Sequence, residues 1–254
     1  MKRFYVVPVL VLAIVLSACG QGAAGGGSAN APATVAPTYK EPTVTVVPTD
    51  KPRAAVKEFK DEFDLINTDW SAPVTVTTQA LPQQVYSKVT LDGSQMIFNL
   101  ADKETFMYRF YKNPTPQNVI HETSFVAGGN IQNGIALICR AKTDYSSFYE
   151  FRVTSNSLYA ITHYDKSLKD DQDKNPYDEL KSGGIPLGKI HPNKANVMRA
   201  ICDGTTLTLE INGFKLASYQ DSSLPDAGLA GVGAMSHDVV PVNIRFDYLS
   251  FKAP

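Results

Sequence analysis

The residues of this chain best placed to do chemistry lie in Phe148–Thr154, FYEFRVT. In a strand, successive side chains point to opposite faces, so Tyr149, Phe151 and Val153 share one face and Phe148, Glu150 and Arg152 the other. If the first face is core, Glu150 and Arg152, with Arg140 from the neighbouring strand, line an open sheet face. Tyr159 and His163 join them through the alternation of the next strand. A few fixed polar groups beside flat rings suit a hydroxyl-rich ligand, because rings stack on apolar sugar faces while polar groups orient hydroxyls. The competing reading is a cross-strand ion pair on a wet face.

Other chemical patterns are incomplete. The four histidines, at 121, 163, 191 and 237, form no HExxH and no close ligand pair, which argues against zinc. No GxSxG elbow occurs, and Gly25–Ser28 precedes no strand–helix unit that could cradle phosphate. Within the polar insertion Tyr164–Gly184, Asp171, Asp173 and Asn175 imitate the first ligands of a calcium loop, but Pro176 replaces the turn glycine and Ser182 the bidentate glutamate. An EF-hand is excluded. A looser calcium site through Asp170, Asp171 or Asp173 is the one cofactor left open, and the insertion is expected to project as a solvated loop. No catalytic residue is assigned.

Positioning any of these side chains falls to β-strands. Seventeen Gly, sixteen Pro and twelve each of Phe and Tyr fit a turn-rich β protein, and no stretch beyond the N-terminus keeps a helical apolar spacing. Strands are expected at Val85–Leu91, Gln95–Leu100, Phe106–Tyr111, Val119–Val126, Ile135–Ala141, Phe148–Thr154 and Leu158–His163. Further strands are expected at Val197–Cys202, Thr206–Ile211, Lys215–Tyr219, Ala230–Met235 and Val242–Phe251. Asp92-Gly93, Asn133-Gly134, Asp203-Gly204 and Asn212-Gly213 supply turns, so the fold class is all-β, two packed antiparallel sheets. The clearest meander is Asn196–Tyr219.

The first fifth of the chain reads differently. Lys2 and Arg3 precede an apolar run, Val6–Leu16, and then Leu16-Ser17-Ala18-Cys19, a bacterial lipobox. Residues 1–18 are therefore expected to be a lipoprotein signal peptide and Cys19 the lipidated membrane anchor. Residues 19–56, rich in Gly, Ala, Pro and Thr, read as a disordered tether, and residues 57–254 as one β domain on the extracytoplasmic side of a bacterial envelope. Two cysteines remain, Cys139 and Cys202, and an exported location permits a disulfide between them; two buried free thiols are the alternative. With 24 Lys and Arg against 25 Asp and Glu, nothing electrostatic argues for nucleic acid as a partner.

The order of signals across Lys60–Pro254 resembles the concanavalin A-like lectin/glucanase jelly roll, especially lipoprotein-borne domains of the 3-keto-disaccharide hydrolase type. The matching pieces are Asp61-Glu62-Phe63 with Trp70, Asp92-Gly93, Ile135–Arg140 with Phe148–Phe151, the CDG of Cys202–Gly204, Asn212-Gly213, Gly228–Gly233 and Arg245–Tyr248. The resemblance implies a jelly-roll sandwich, with Trp70 in the core more often than on a sugar platform. Laminarinase-type members carry Glu-x-Asp-x-x-Glu on a central strand, and retaining hydrolysis needs two carboxyls about 5–5.5 Å apart. Glu62-Phe63-Asp64-Leu65-Ile66-Asn67 begins that pattern but ends in Asn67, at the edge of the domain. The expectation is thus a non-catalytic module that binds carbohydrate or another surface ligand; a glycoside-active enzyme using Glu150 and a plain envelope scaffold are the alternatives.

Overall fold

The structure is a computed structural model that describes residues 58–65, 67–77, 86–129, 133–172 and 174–254. Cys19 and the proposed signal and tether lie outside the described residues. The first strands are β1 (Glu58–Asp61), β2 (Val74–Thr77), β3 (Lys88–Leu91), β4 (Met96–Leu100), β5 (Thr105–Tyr111), β6 (Val119–Gly129), β7 (Gly134–Ala141), β8 (Ser147–Thr154) and β9 (Leu158–Asp165). A short helix α1 (Lys166–Gln172) follows, then β10 (Tyr177–Gly184), β11 (Ala195–Asp203), β12 (Thr206–Ile211), β13 (Phe214–Gln220), β14 (Leu229–Met235) and β15 (Val242–Lys252).

These strands form two antiparallel sheets. An eight-stranded sheet runs β13-β12-β11-β6-β15-β4-β3, with β1 paired to β15, and a seven-stranded sheet runs β10-β9-β8-β7-β14-β5-β2. In the larger sheet, β11 shows a two-residue period: Met198, Ala200 and Cys202 are buried while Val197, Arg199 and Ile201 face outward. In the smaller sheet, β7 is buried at every position: its apolar run Gly134–Cys139 suits a central strand covered on both faces, and Arg140 is buried near its end. Asn212 and Gly213 both have positive φ, the pattern of a type I′ turn, and close the β12–β13 hairpin. The preceding turn is centred on Gly204-Thr205, one residue later than the sequence suggests, because Asp203 still pairs with Thr206.

The main core lies between the sheets, around Phe98, Phe125, Tyr149, Phe151, Leu209 and Phe246. Trp70 is buried there, and its Nε1 donates to Asp61 Oδ2 at 2.8 Å. A disulfide joins Cys139 of β7 to Cys202 of β11 and so ties one sheet to the other. His121 of β6 is fully buried beside the Phe251 ring, and neither ring nitrogen has a hydrogen-bond partner. Burial pushes its pKa down to about 3.

Tyr164–Gly184 is the main departure from expectation. Rather than projecting as a loop, it completes β9, forms α1 and returns as β10, which pairs with β9 from Tyr177↔Tyr164 to Gly184↔Leu158. Its polar sequence, YDELKSGG, belongs to an edge strand with few buried positions, so it lacks the apolar alternation that marks a strand in sequence. Of the carboxylates left open as a looser calcium site, Asp170 pairs with Lys166 and Asp173 falls outside the described residues. Among the described residues no group of three or more His, Cys, Asp or Glu is placed to hold a metal ion.

The strand registers also fix the poles of the sandwich. Glu58 pairs with Lys252, and Lys252 with Ile120, at the pole where Cys202 pairs with Val119. At the other pole lie Ala195↔Val126, Ile211↔Phe214 and, in the smaller sheet, Gly134↔Met235 and Leu158↔Gly184.

Candidate functional site

The outer face of the smaller sheet is hollow. Tyr177 on β10 meets Tyr108 on β5 with hydroxyls 2.8 Å apart, and its ring stacks on Phe106 with centroids 4.7 Å apart. Four strands lie between β10 and β5, a flat span of about 24 Å at the usual inter-strand spacing. Two tyrosines cannot bridge that span unless the sheet curls. The curl closes a second apolar layer of Phe106, Tyr108, Phe110, Phe148, Tyr164 and Tyr177 over the face. Gly233 makes room for it, since a Cβ there would run into the Tyr108 ring.

Beneath this aromatic layer sits one buried ionic network. Glu150 is 1% exposed; its Oε1 accepts from Arg152 Nε, and its Oε2 accepts from the Tyr108 hydroxyl at 2.6 Å. Because the Tyr108 proton goes to Glu150, the Tyr177 hydroxyl donates to Tyr108. Burial first, and then the Glu150 charge, pushes both phenols well above their ordinary range. For Arg152, burial opposes the charge, but the adjoining carboxylate more than restores it and its pKa is raised. The guanidinium lies over Phe106 and Tyr177, with Cζ 4.9 and 5.3 Å from the ring centroids. Its Nη2 is buried without a partner, and so is Thr162 Oγ1 on the strand facing Glu150.

Towards the pole away from Glu58 the face opens. Small residues cause this: Ala136 and Ala160 flank Arg152 in register, and Gly134 flanks Thr154. The result is a groove of about 330 Å³, lined by Arg152, Leu158, Ala160, Glu179, Ser182 and Met235. Leu158 and Glu179 are exposed at its mouth, and Ser182 Oγ donates to Glu179 Oε1 at 2.5 Å. Its inner side is shut by Met235, which lies where a Cβ on Gly134 would be. A second depression, about 510 Å³ on the larger sheet, is lined by Glu122 and Tyr248 among others. There Glu122 already binds Arg199 at 2.6 Å and the Tyr248 hydroxyl at 2.9 Å.

The five sequence candidates do not converge. Glu150 and Arg152 share the hollow face, but Glu150 is sealed beneath the rings rather than lining an open sheet. Arg152 lines the groove. Tyr159 also borders it, although its ring packs against the main core and over Gly183. His163 Nε2 lies 2.9 Å from Ser147 Oγ, and its ring packs against Tyr149, a residue of the main core between the sheets.

Arg140 is diverted altogether. A one-residue bulge opposite Ala230 gives it a positive φ of 53° and breaks the alternation that placed it beside Glu150. Its guanidinium instead donates to the carbonyls of Gln117, Leu224 and Gly204 at 3.0, 3.0 and 2.7 Å. Charge-assisted hydrogen bonds of this kind contribute about 1.5–3 kcal/mol each when a partner is lost, less when water refills the site. Arg140→Met is therefore expected to lower unfolding free energy by about 3 kcal/mol in a urea titration while leaving ligand retention of the folded fraction unchanged.

Sequence reasoning missed Tyr108, Tyr177, Leu158, Ala160, Glu179 and Met235. The usable signal was register: Glu150 pairs with Thr162, so the residues of β9 on its face are Leu158, Ala160, Thr162 and Tyr164. Strand pairing keeps directly opposed residues on one face, and a one-residue error moves every side chain to the other.

No protein-family model and no curated protein matches this chain. Solved structures do. A carbohydrate binding module from Bacillus subtilis aligns with TM-score 0.50 and 15% identity over 70% of this chain and 92% of that one. A Bacillus subtilis protein of unknown function with a galectin-like fold aligns with TM-score 0.57 and 10% identity over 77% and 94%. A prokaryotic β-1,3-1,4-glucanase (lichenase) from a mouse hindgut metagenome gives 0.57 and 7% over 78% and 100%. At such identities the likeness is one of fold: the chain is an all-β, two-sheet jelly-roll sandwich of the kind found in these proteins.

Proposed function

We propose that this protein is a non-catalytic carbohydrate-binding module that takes its ligand in the groove of the smaller sheet. The observation that carries the reading is the groove itself: apolar Leu158, Ala160 and Met235 beside Arg152, Glu179 and Ser182, the mixture of apolar contact and a few fixed polar groups that sugars require. The shared fold with a carbohydrate binding module and a glucanase supports it as analogy. Binding is favoured over hydrolysis because both oxygens of Glu150 are engaged and the group is sealed beneath the rings, which leaves Glu179 as the one carboxylate lining the groove among the described residues, where retaining hydrolysis needs a pair. The LSAC sequence at Leu16–Cys19 supports a lipid-anchored copy of the module facing away from a bacterial membrane.

Affinity gel electrophoresis against soluble mixed-linkage β-glucan, xylan, pectin and starch tests this. At least one polymer is expected to retard the protein, with no new reducing ends after prolonged incubation. Unchanged mobility in all four gels removes the carbohydrate reading, and reducing ends that disappear in Glu150→Gln restore the hydrolase.

A further inference from the structure

The connection from β10 to β11, at the pole away from Glu58, ends in an apolar tip. Pro186–Lys189 forms a type II turn: the Lys189 N–H donates to the Pro186 carbonyl at 3.1 Å, and Gly188 has a φ of 77°. Leu187 at its corner is 103% exposed, the most of any large apolar side chain among the described residues. Phe214 and Val197 are exposed at the same pole, and the Lys189 ammonium lies 4.8 Å from the Phe214 ring centroid.

Two amides hold this tip in place. Asn212 Nδ2, in the β12–β13 turn, donates to the Lys189 carbonyl at 2.8 Å and to Asn196 Oδ1 at 2.9 Å. Asn196 is buried, and its Nδ2 donates to the carbonyls of His191 and Lys194, each at 2.9 Å. The loop is thereby fastened to the hairpin, so its ordering is met by folding rather than at the moment of binding.

The charges around the tip have one sign. Residues 185–197 and 211–217 contain Lys189, Lys194 and Lys215 and no carboxylate. None of these lysines is in an ion pair among the described residues. Glu210, opposite Lys215 in register, is bound to Arg199. A sugar or a peptide needs a concave contact to shed its water, and a side chain as exposed as Leu187 stands on a convex one. A headgroup layer, being deformable, closes around a protruding apolar side chain while its phosphates attract the cations beside it.

We infer that this cap docks the domain on an anionic lipid surface, with Leu187 and Phe214 entering the headgroup layer and Lys189, Lys194 and Lys215 meeting its phosphates. The cap lies at the pole opposite Glu58 and Lys252, so the contact is separate from attachment through either terminus and from any sugar in the groove.

Leu187→Trp tests it by placing a fluorophore on the tip, at an exposed position where folding is not at stake; the one native tryptophan, Trp70, is buried. The full chain also carries Cys19→Ser, which leaves no thiol there for a lipid. Vesicles of phosphatidylcholine with about one-third phosphatidylglycerol are expected to blue-shift the tip emission, brominated acyl chains to quench it, and high salt to reverse both. Adding Lys189→Gln and Lys194→Gln is expected to raise the lipid concentration for half-maximal quenching about 25-fold, about fivefold for each charge removed. Quenching that is absent, or equal on pure phosphatidylcholine, overturns the inference. A blue shift that grows with protein concentration in the absence of vesicles overturns it in favour of a second copy of the chain. Retention by dextran sulfate with no quenching by vesicles overturns it in favour of a soluble polyanion.

Discussion

Replacing Cys139 and Cys202 together by alanine is expected to cost about 4 kcal/mol of stability. The bridge closes a loop with a sequence separation of 63 residues, and loop-closure entropy for that length amounts to about 4 kcal/mol at 25 °C. Its position adds to the effect, because Cys139 and Cys202 belong to different sheets and both are fully buried. For a β domain of about 200 residues, a loss of that size lowers Tm by roughly 8–16 °C. Calorimetry of the double variant, and of the native chain with and without reductant, reads it directly. A shift under 2 °C in both experiments, or two free thiols titrating in the unreduced unfolded chain, would show that the bridge does not hold the sheets together.

Acid is expected to destabilise the fold through His121. Its pKa falls from 6.5 to about 3 on folding, because its buried ring has no hydrogen-bond partner to compensate lost water. Between these values the unfolded chain binds a proton that the folded chain refuses. The contribution is fully present above pH 6.5 and is lost as pH falls towards 3, by up to about 5 kcal/mol. Several carboxylates reinforce the trend lower down: hydrogen bonds and neighbouring cations hold Glu122, Asp165 and Asp221 below their ordinary range despite desolvation. His121→Leu removes only the first effect. Its unfolding free energy is expected to stay nearly level from pH 6.5 to 5, where the native chain already declines; parallel curves for the two proteins would place the acid sensitivity elsewhere.

Much of this architecture is legible in sequence because local signals agree with the global fold. Each of the twelve expected strands overlaps an observed one, since each carries either β-rich apolar alternation or a flanking turn dipeptide; Val85–Leu91 is shortened to Lys88–Leu91, with Val85 outside the described residues. Strands β1, β2 and β10 were not expected: they are short or polar edge pieces whose pairing comes from neighbours rather than from their own residues. The groove was harder to foresee. Alternation within β8 correctly separated Phe151 from Glu150, but alternation alone says nothing about which residues of β9 lie beside them. The bulge at Arg140 and the curl that brings Tyr177 to Tyr108 are tertiary events, and no single stretch of chain records either one.

The pairing of Glu58 with Lys252 puts both termini of the sandwich at one pole, while Leu158, Gly183 and Met235 mark the groove at the other. Attachment at either terminus, by an engineered tag or by the proposed lipid, therefore falls at the pole opposite the groove. If the groove takes carbohydrate as proposed, a glycan held by several tethered copies at once would be retained beyond single-site affinity through effective concentration alone.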